Sequence, residues 1–456
     1  MKLFILSYAL ISFFAFSAIS NFDVTIVGEM KFSESLARFP IVLIDTLKDD
    51  LKVNFIFSRP YIQPSFEDVP LEVQQVAKDP DKTPGKVSIL CDLLWTKHIY
   101  PAKLVPQSPI KVAYSMLEST AIPKQWVQIL NSRFDAVVVP DEFLVRVYKR
   151  SGVQIPIFVI PNSLYLDDFL SQPIKSKKNE PFTFGVSGTF YPHKNLELLV
   201  KAFIKEFGNN PQVQLKVHAR RKDYNSIERT LKQMIKATHS ENIKLIRKRL
   251  TSQEYVTFLA SLDCYVFLSK GEGFSITPRE AMALGIPCIL SRNTAHITIC
   301  NSGLVYPVYC PLIEPAFYHS FNGQVGYQFN CRIEDVRRAM RRVYENYDHY
   351  LNQAMQERAW AAQYSYQNIK NKYVTLVKPQ KVVFGHVNEI KENYIITNSL
   401  RLYKKYYEHV IHQNIERAYK EEKSGLKEEG IAPQEALPVL FNNTSANKEN
   451  GDVYTS

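Results

Sequence analysis

Short, continuously apolar segments alternate with helix-patterned stretches twice along this chain, and that alternation restricts the fold more than any other property. In the first round the segments are DVTIV (23–27), KVNFIF (52–57), KVSILC (86–91), IKVAYSM (110–116), DAVVVP (135–140) and IFVIP (157–161). Helical patterns such as Ser33–Asp49 and Lys124–Ser132 lie between them. Strands that are apolar on both faces need cover on both faces. That requirement predicts a parallel sheet sandwiched between helices.

The alternation breaks at NSLYLDDFLSQPIKSKKNEP (162–181), a polar, charged stretch that reads as a linker. It then resumes with FTFGVSG (182–188), VQLKVHA (213–219), NIKLIRK (242–248), CYVFLS (264–269), PCILS (287–291) and GLVYPV (303–308). Helices are expected from Asn195 and near 225–238, 252–261 and 278–284, and two more close the unit at 333–346 and 349–374. The expected fold class is therefore α/β: two doubly wound, Rossmann-like domains, 22–165 and 182–375, facing each other across a deep cleft. The last helix of the second domain is a candidate to cross back onto the first. Residues 376–456 read as a helical extension, rich in Lys, Glu and Tyr over 386–423, and then a disordered tail. Asn442 and Asn443 in that tail match the N-glycosylation acceptor pattern.

Residues 1–20, MKLFILSYALISFFAFSAIS, have one charge followed by an apolar run with small residues at its end. They read as a signal peptide or a membrane anchor. The expected location is membrane-associated through this segment, or exported with it cleaved, with the side of the membrane open. The net charge of +11 favours anionic partners: phosphorylated small molecules or an acidic membrane surface. No nucleic-acid module is recognisable, so no nucleic-acid partner is expected. The six cysteines show neither CxxC spacing nor a histidine cluster, so neither a metal site nor a disulfide framework is expected.

The most informative stretch is GEGFSITPREAMALG (271–285), which follows a strand and enters a helix. Thr277 and Glu280 have capping-box spacing, with Pro278 at the first helical position. A local structural role for Glu280 is thus open beside a ligand-binding one. Capping leaves Gly271, Glu272 and Gly273 unexplained, because glycines flanking an acid suggest close approach of the backbone to something. The free amides of a helix N-terminus suit phosphate, and a carboxylate suits a vicinal diol. A nucleotide-sugar offers both. In GTFYPHKNLELLVKAF (188–203), Lys194 lands at the mouth of the expected crevice, where an ammonium can neutralise a diphosphate without a metal.

These residues carry a family resemblance. The chain resembles retaining glycosyltransferases of the GT-B fold, the group 1 or family 4 type, through the E-x7-E pair Glu272 and Glu280. GTFYPHKNLELLVKAF, SLDCYVFLS, NSGLVYP and, in the first unit, VAYSMLEST, FDAVVVPDEF and SGVQIPIFVIPN also resemble that family. The resemblance implies that Lys194 and Glu272 are catalytic, and that Gly273, Phe274, Ser275, Ile276, Thr277 and Glu280 bind the donor, Glu280 through its ribose. It implies a nucleotide-sugar donor and a glycan acceptor, with no cofactor or metal; the basic charge and the apolar N-terminus together suggest work at a membrane surface, on a lipid-linked or envelope acceptor. The sequence also departs from the family. Thr189 stands where an arginine is usual, so Arg249, Arg220 and Arg221 become substitutes for the missing phosphate partner. Only Gly28 represents the usual glycine loop. The donor-sugar histidine of many members has no counterpart in a suitable place, since His98 is badly placed, and Glu118 is the replacement. These departures keep an alternative open: a GT-B protein that binds a nucleotide-sugar or glycan without turnover.

Overall fold

The computed structural model describes residues 21–378, apart from 33, 61–65, 79–82 and 220–224. The N-terminal apolar segment, the C-terminal extension with Asn442 and Asn443, and the candidates Arg220 and Arg221 lie outside the described residues.

The first lobe is a six-stranded, wholly parallel sheet in the order β2-β1-β3-β4-β5-β6. Its strands are β1 (Val24–Gly28), β2 (Val53–Phe57), β3 (Val87–Cys91), β4 (Ile110–Tyr114), β5 (Ala136–Val139) and β6 (Ile157–Val159). Its helices are α1 (Ser35–Leu47), α2 (Leu71–Lys78), α3 (Lys124–Arg133) and α4 (Glu142–Ser151). Every residue of β1, β3 and β5 is buried, which is why these strands read as unbroken apolar runs rather than alternating ones.

The second lobe repeats the plan, with a parallel sheet in the order β12-β11-β10-β7-β8-β9. The strands are β7 (Phe182–Gly188), β8 (Val213–Ala219), β9 (Ile243–Ile246), β10 (Cys264–Phe267), β11 (Cys288–Ser291) and β12 (Tyr306–Val308). The short helix α5 (Asp167–Leu170) precedes them, and α6 (Leu196–Phe207), α7 (Asn225–Ala237), α8 (Ser252–Ala260), α9 (Ile276–Ala283) and α10 (His296–Cys300) lie between them. The order reverses between β7 and β10 here and between β1 and β3 in the first lobe. Those are the points where an open α/β sheet leaves a crevice at its carboxyl edge.

Three features differ from the sequence expectation. First, residues 162–181 are not a free linker: Leu164, Leu166 and Phe169 are buried in the second lobe's core. Second, an antiparallel hairpin, β13 (Leu312–Tyr318) with β14 (Gly323–Asn330), follows β12. Its mixed polar and aromatic sequence carries no continuous apolar run; its turn closes at Asn322–Gly323, with Asn322 in the left-handed region (φ 53°). Third, the single helix expected at 349–374 is broken. After α11 (Ile333–Glu345) come α12 (Tyr347–Leu351), α13 (Ala354–Ala362) and α14 (Tyr366–Val377). Ile369, Tyr373 and Val377 of α14 are buried in the core of the first lobe, against α1.

The lobes meet tightly. Arg38 of α1 reaches Glu280 of α9, Arg279 lies 4.0 Å from Asp141, and a crevice is lined by Arg38, Val42, Tyr165 and Ile276.

Candidate active site in the seam between the lobes

β7 ends at Gly188, and a short 3-10 turn, Pro192–Lys194, leads into α6. Asn195 adopts a left-handed conformation there (φ 58°), which asparagine tolerates better than most residues. Its side-chain amide donates to the carbonyl of Leu268 (3.1 Å) and to Asn330 Oδ1 (2.8 Å). The start of α6 is thereby tied to the end of β10. Lys194 is thus fixed beside the loop that leaves β10, at the switch point of the sheet.

Lys194 Nζ lies 2.6 Å from Glu272 Oε1, and both side chains are largely buried. The ammonium also sits 5.5 Å from the centre of the Phe267 ring. Burial pushes the Glu272 carboxyl upward, but Lys194, with His296 and His193, more than offsets this and holds it below the usual range. Glu272 is therefore a carboxylate at neutral pH. Its backbone N–H donates to Thr294 Oγ1 (2.8 Å). Glu118 faces the pair from the first lobe. Burial raises its pKa, Lys194 lowers it, and repulsion from Glu272 raises it again, for a net upward shift. The structure thus gathers Lys194, Glu272 and Glu118 into one cluster.

The two glycines of the loop have a specific neighbour. A Cβ on Gly271 would collide with the carbonyl oxygen of Glu118, and one on Gly273 would lie 3.0 Å from Met116 Sδ. The close approach that the sequence suggested is therefore made to the first lobe, to the segment that follows β4. Gly271→Ala is expected to cost about 1–3 kcal/mol by overpacking backbone against backbone, read as a lower melting temperature. An unchanged melting temperature would mean that the loop and the Glu118 segment part freely.

Glu280 does not cap its helix. α9 begins at Ile276, and its N-terminal flank, Ser275, makes no side-chain capping bond. Thr277 Oγ1 instead accepts from Tyr265 Oη (2.7 Å). Glu280 is buried and turned toward the other lobe. Its Oε1 accepts from Arg38 Nη2 of α1 (2.9 Å), and its Oε2 accepts from Tyr255 Oη of α8 (2.8 Å). The capping box fails for a simple reason: a better-charged partner, 242 residues away in sequence, reaches the carboxylate.

Between the two glutamates, Ser275 takes a positive φ of 68°, a conformation that costs a non-glycine residue about 1–3 kcal/mol. Its hydroxyl is anchored to His296 Nε2 (2.7 Å), and His296 Nδ1 lies 3.1 Å from the carbonyl of Ser291. Burial pushes the His296 imidazole down to about 4. It is neutral at pH 7, donating to that carbonyl and accepting from the serine. Phe274 is buried under the guanidinium of Arg279, 3.9 Å from its ring centre. Arg279 has no exposed surface; it donates to the carbonyl of Ser275 (2.9 Å) and lies 4.0 Å from Asp141 of the first lobe. Burial raises Asp141 to about 7, against the pull of Arg279 and a hydrogen bond from Thr298. Ile276 lines the crevice beside Arg38. The side chains around the loop thus hold its shape, and several of its backbone groups are already engaged: Gly271 O by Ser269, Glu272 N–H by Thr294, and Ser275 O by Arg279.

The two candidate phosphate residues are placed differently. Thr189 follows β7 directly and is half-buried. Arg249 is exposed beyond β9, at the edge of the sheet, where it pairs with Glu67 of the first lobe (2.6 Å). Sequence reasoning missed Arg38, Tyr255, His296 and the Arg279–Asp141 contact. Each acts through a partner distant in sequence, so no local spacing announces it.

The comparisons with known proteins bear on the fold. Residues 168–303 match the family model for Glycosyl transferases group 1. That stretch is thus similar to a group 1 glycosyltransferase domain, and it lies in a chain built of two parallel-sheet lobes. Among particular proteins, a probable sucrose-phosphate synthase of Thermosipho melanesiensis is 20% identical over 227 residues, 50% of this chain and 48% of that protein. The chain thus spans about half the length of this curated relative. HepE of Anabaena, solved with UDP and glucose, superposes with a TM-score of 0.57 at 12% identity, covering 78% of this chain and 99% of that one. Sucrose-phosphate synthase of Thermosynechococcus elongatus gives 0.55 at 13% identity, covering 78% and 98%. At such identities the likeness to the solved structures is one of fold.

Proposed function

We propose that the protein is a retaining glycosyltransferase that moves a sugar from a nucleoside-diphosphate sugar to a glycan or lipid-linked acceptor, without a metal. The observation that carries this reading is the Lys194–Glu272 pair, 2.6 Å apart at the β7/β10 switch point and facing Glu118 of the opposite lobe. An ammonium held there can take the growing charge of a departing diphosphate. Glu272 and the loop amides position the sugar, and Glu280 takes the ribose. The acceptor hydroxyl then attacks the anomeric carbon on the face from which the phosphate leaves. UDP in the solved HepE complex supports a diphosphate donor of this kind. Membrane association through residues 1–20 belongs to the same proposal, and fractionation with a C-terminal reporter tests it.

Glu280→Ala is expected to weaken UDP binding by roughly 10–100-fold, the worth of a charge-assisted hydrogen bond, as measured by calorimetry. Glu272→Ala is expected to lower turnover with a smaller effect on binding. A Glu280→Ala protein with a lower melting temperature but unchanged affinity would reduce Glu280 to an interlobe tie.

One observation favours a second reading, a GT-B protein that binds without turnover: both oxygens of Glu280 already have protein partners, Arg38 and Tyr255. Donor hydrolysis separates the two. UDP-sugar binding without hydrolysis or transfer on any acceptor supports the binder.

A further inference from the structure

We propose that Cys310 and Cys331 are a modification site, a thiol pair that closes to a disulfide across the base of the hairpin strapping the two lobes together. Their sulfurs lie 2.8 Å apart, and both residues are buried. The two cysteines stand just outside the closing pair of the hairpin, Leu312 opposite Asn330. Of the other four cysteines, Cys91 lies in β3, Cys264 in β10, Cys288 in β11 and Cys300 in α10, the last near enough to Cys310 to feel its charge.

The hairpin is what gives the pair significance. At its base, the Phe329 N–H donates to the carbonyl of Lys270 (2.8 Å), Lys270 Nζ pairs with Glu314 (2.6 Å), and Asn330 accepts from Asn195 (2.8 Å). These partners flank Glu272 and Lys194 in sequence. Nearer its turn it holds the first lobe: the Thr120 N–H donates to the carbonyl of Tyr327 (3.1 Å), and the Lys97 N–H donates to the carbonyl of Ser320 (3.1 Å). A covalent link at the base would tie together the two feet of the strap where it leaves the second lobe.

The oxidant is a small-molecule disulfide, R–S–S–R. One cysteine loses its proton, and its thiolate attacks a sulfur of R–S–S–R and expels RS⁻. The other cysteine loses its proton and attacks the protein sulfur of the mixed disulfide, forming the Cys310–Cys331 bond and expelling a second RS⁻. Two electrons pass from the protein to R–S–S–R, and the two protons end on the two RS⁻ groups. The contact with Cys310 and burial push the Cys331 thiol up, so exchange is slow at neutral pH and faster in mild alkali.

The full-length protein, purified reduced and freed of reductant, is incubated with oxidised glutathione at mildly alkaline pH, denatured, alkylated and weighed intact. The expected result is the loss of two hydrogen atoms, a mapped Cys310–Cys331 peptide, and a melting temperature above that of the reduced protein. Cys310→Ser and Cys331→Ser should each abolish that product. Six alkylated thiols after the same exposure, a stable glutathione adduct in place of the link, or a link to any other cysteine would overturn the proposal.

Discussion

Replacing Lys194 with methionine is expected to lower kcat for donor hydrolysis or sugar transfer by about 10²–10³-fold, the scale on which preorganised charge at a developing anion acts. The ammonium is largely buried, so water screens it poorly, and its attraction for a departing diphosphate is correspondingly strong. The same substitution leaves the Glu272 carboxylate buried without its cation. Breaking a buried pair from one side costs about 3–5 kcal/mol, so the melting temperature should fall as well. A loss of activity alone would therefore not isolate the chemistry. The double variant Lys194→Met with Glu272→Gln removes both charges and should recover much of the lost stability, while kcat stays low. If stability and kcat recover together, Lys194 only neutralises its neighbour.

The second large effect lies away from the seam. Glu357 of α13 is fully buried, and neither carboxylate oxygen has a hydrogen-bond partner among the described residues. Burial alone pushes its pKa up to about 8. An unfolded glutamate titrates near 4.3, about four units lower, and each unit is worth roughly 1.4 kcal/mol. The folded chain therefore binds this proton more tightly than the unfolded one. The stability that the proton contributes is fully present below about pH 4, declines from there and is lost as pH rises through 8. Glu357→Gln keeps the shape and cannot ionise. It is expected to become progressively more stable than the parent between pH 5 and 9, by a few kcal/mol, on the order of 5–10 °C in melting temperature. Any cost of burying the amide is independent of pH and cancels from that difference. A difference that stays flat across this range would show that Glu357 ionises at no cost.

The strands were legible in the sequence because burial on both faces writes itself as an uninterrupted apolar run, as in VTIVG and FTFGVSG. Lys194 and Glu272 were legible too, because each sits just beyond such a run. Glu280 was harder. A capping box is a local pattern, and the competing partner, Arg38, belongs to the other lobe. The glycines around Glu272 signalled close approach correctly, but the neighbour they admit is the Glu118 segment. Residues 312–330 were not read as strands, because a two-stranded hairpin with one face open mixes exposed Ile313 and Phe317 with buried Ala316; the signal it did carry was the Asn322–Gly323 turn. The long helix read at 349–374 breaks twice, at Asn352–Gln353 and again before Tyr366, where the backbone of Ser365 bridges to Leu164.

The docking of α14 onto α1 has a consequence for anyone cutting this molecule. The first lobe is discontinuous in sequence: three of its core side chains, Ile369, Tyr373 and Val377, arrive only after the whole second lobe has been made. A fragment that stops near residue 165 would expose an apolar groove along Phe39 and Tyr114 where Tyr373 belongs. During synthesis on the ribosome, the same groove waits uncovered until more than two hundred further residues have emerged.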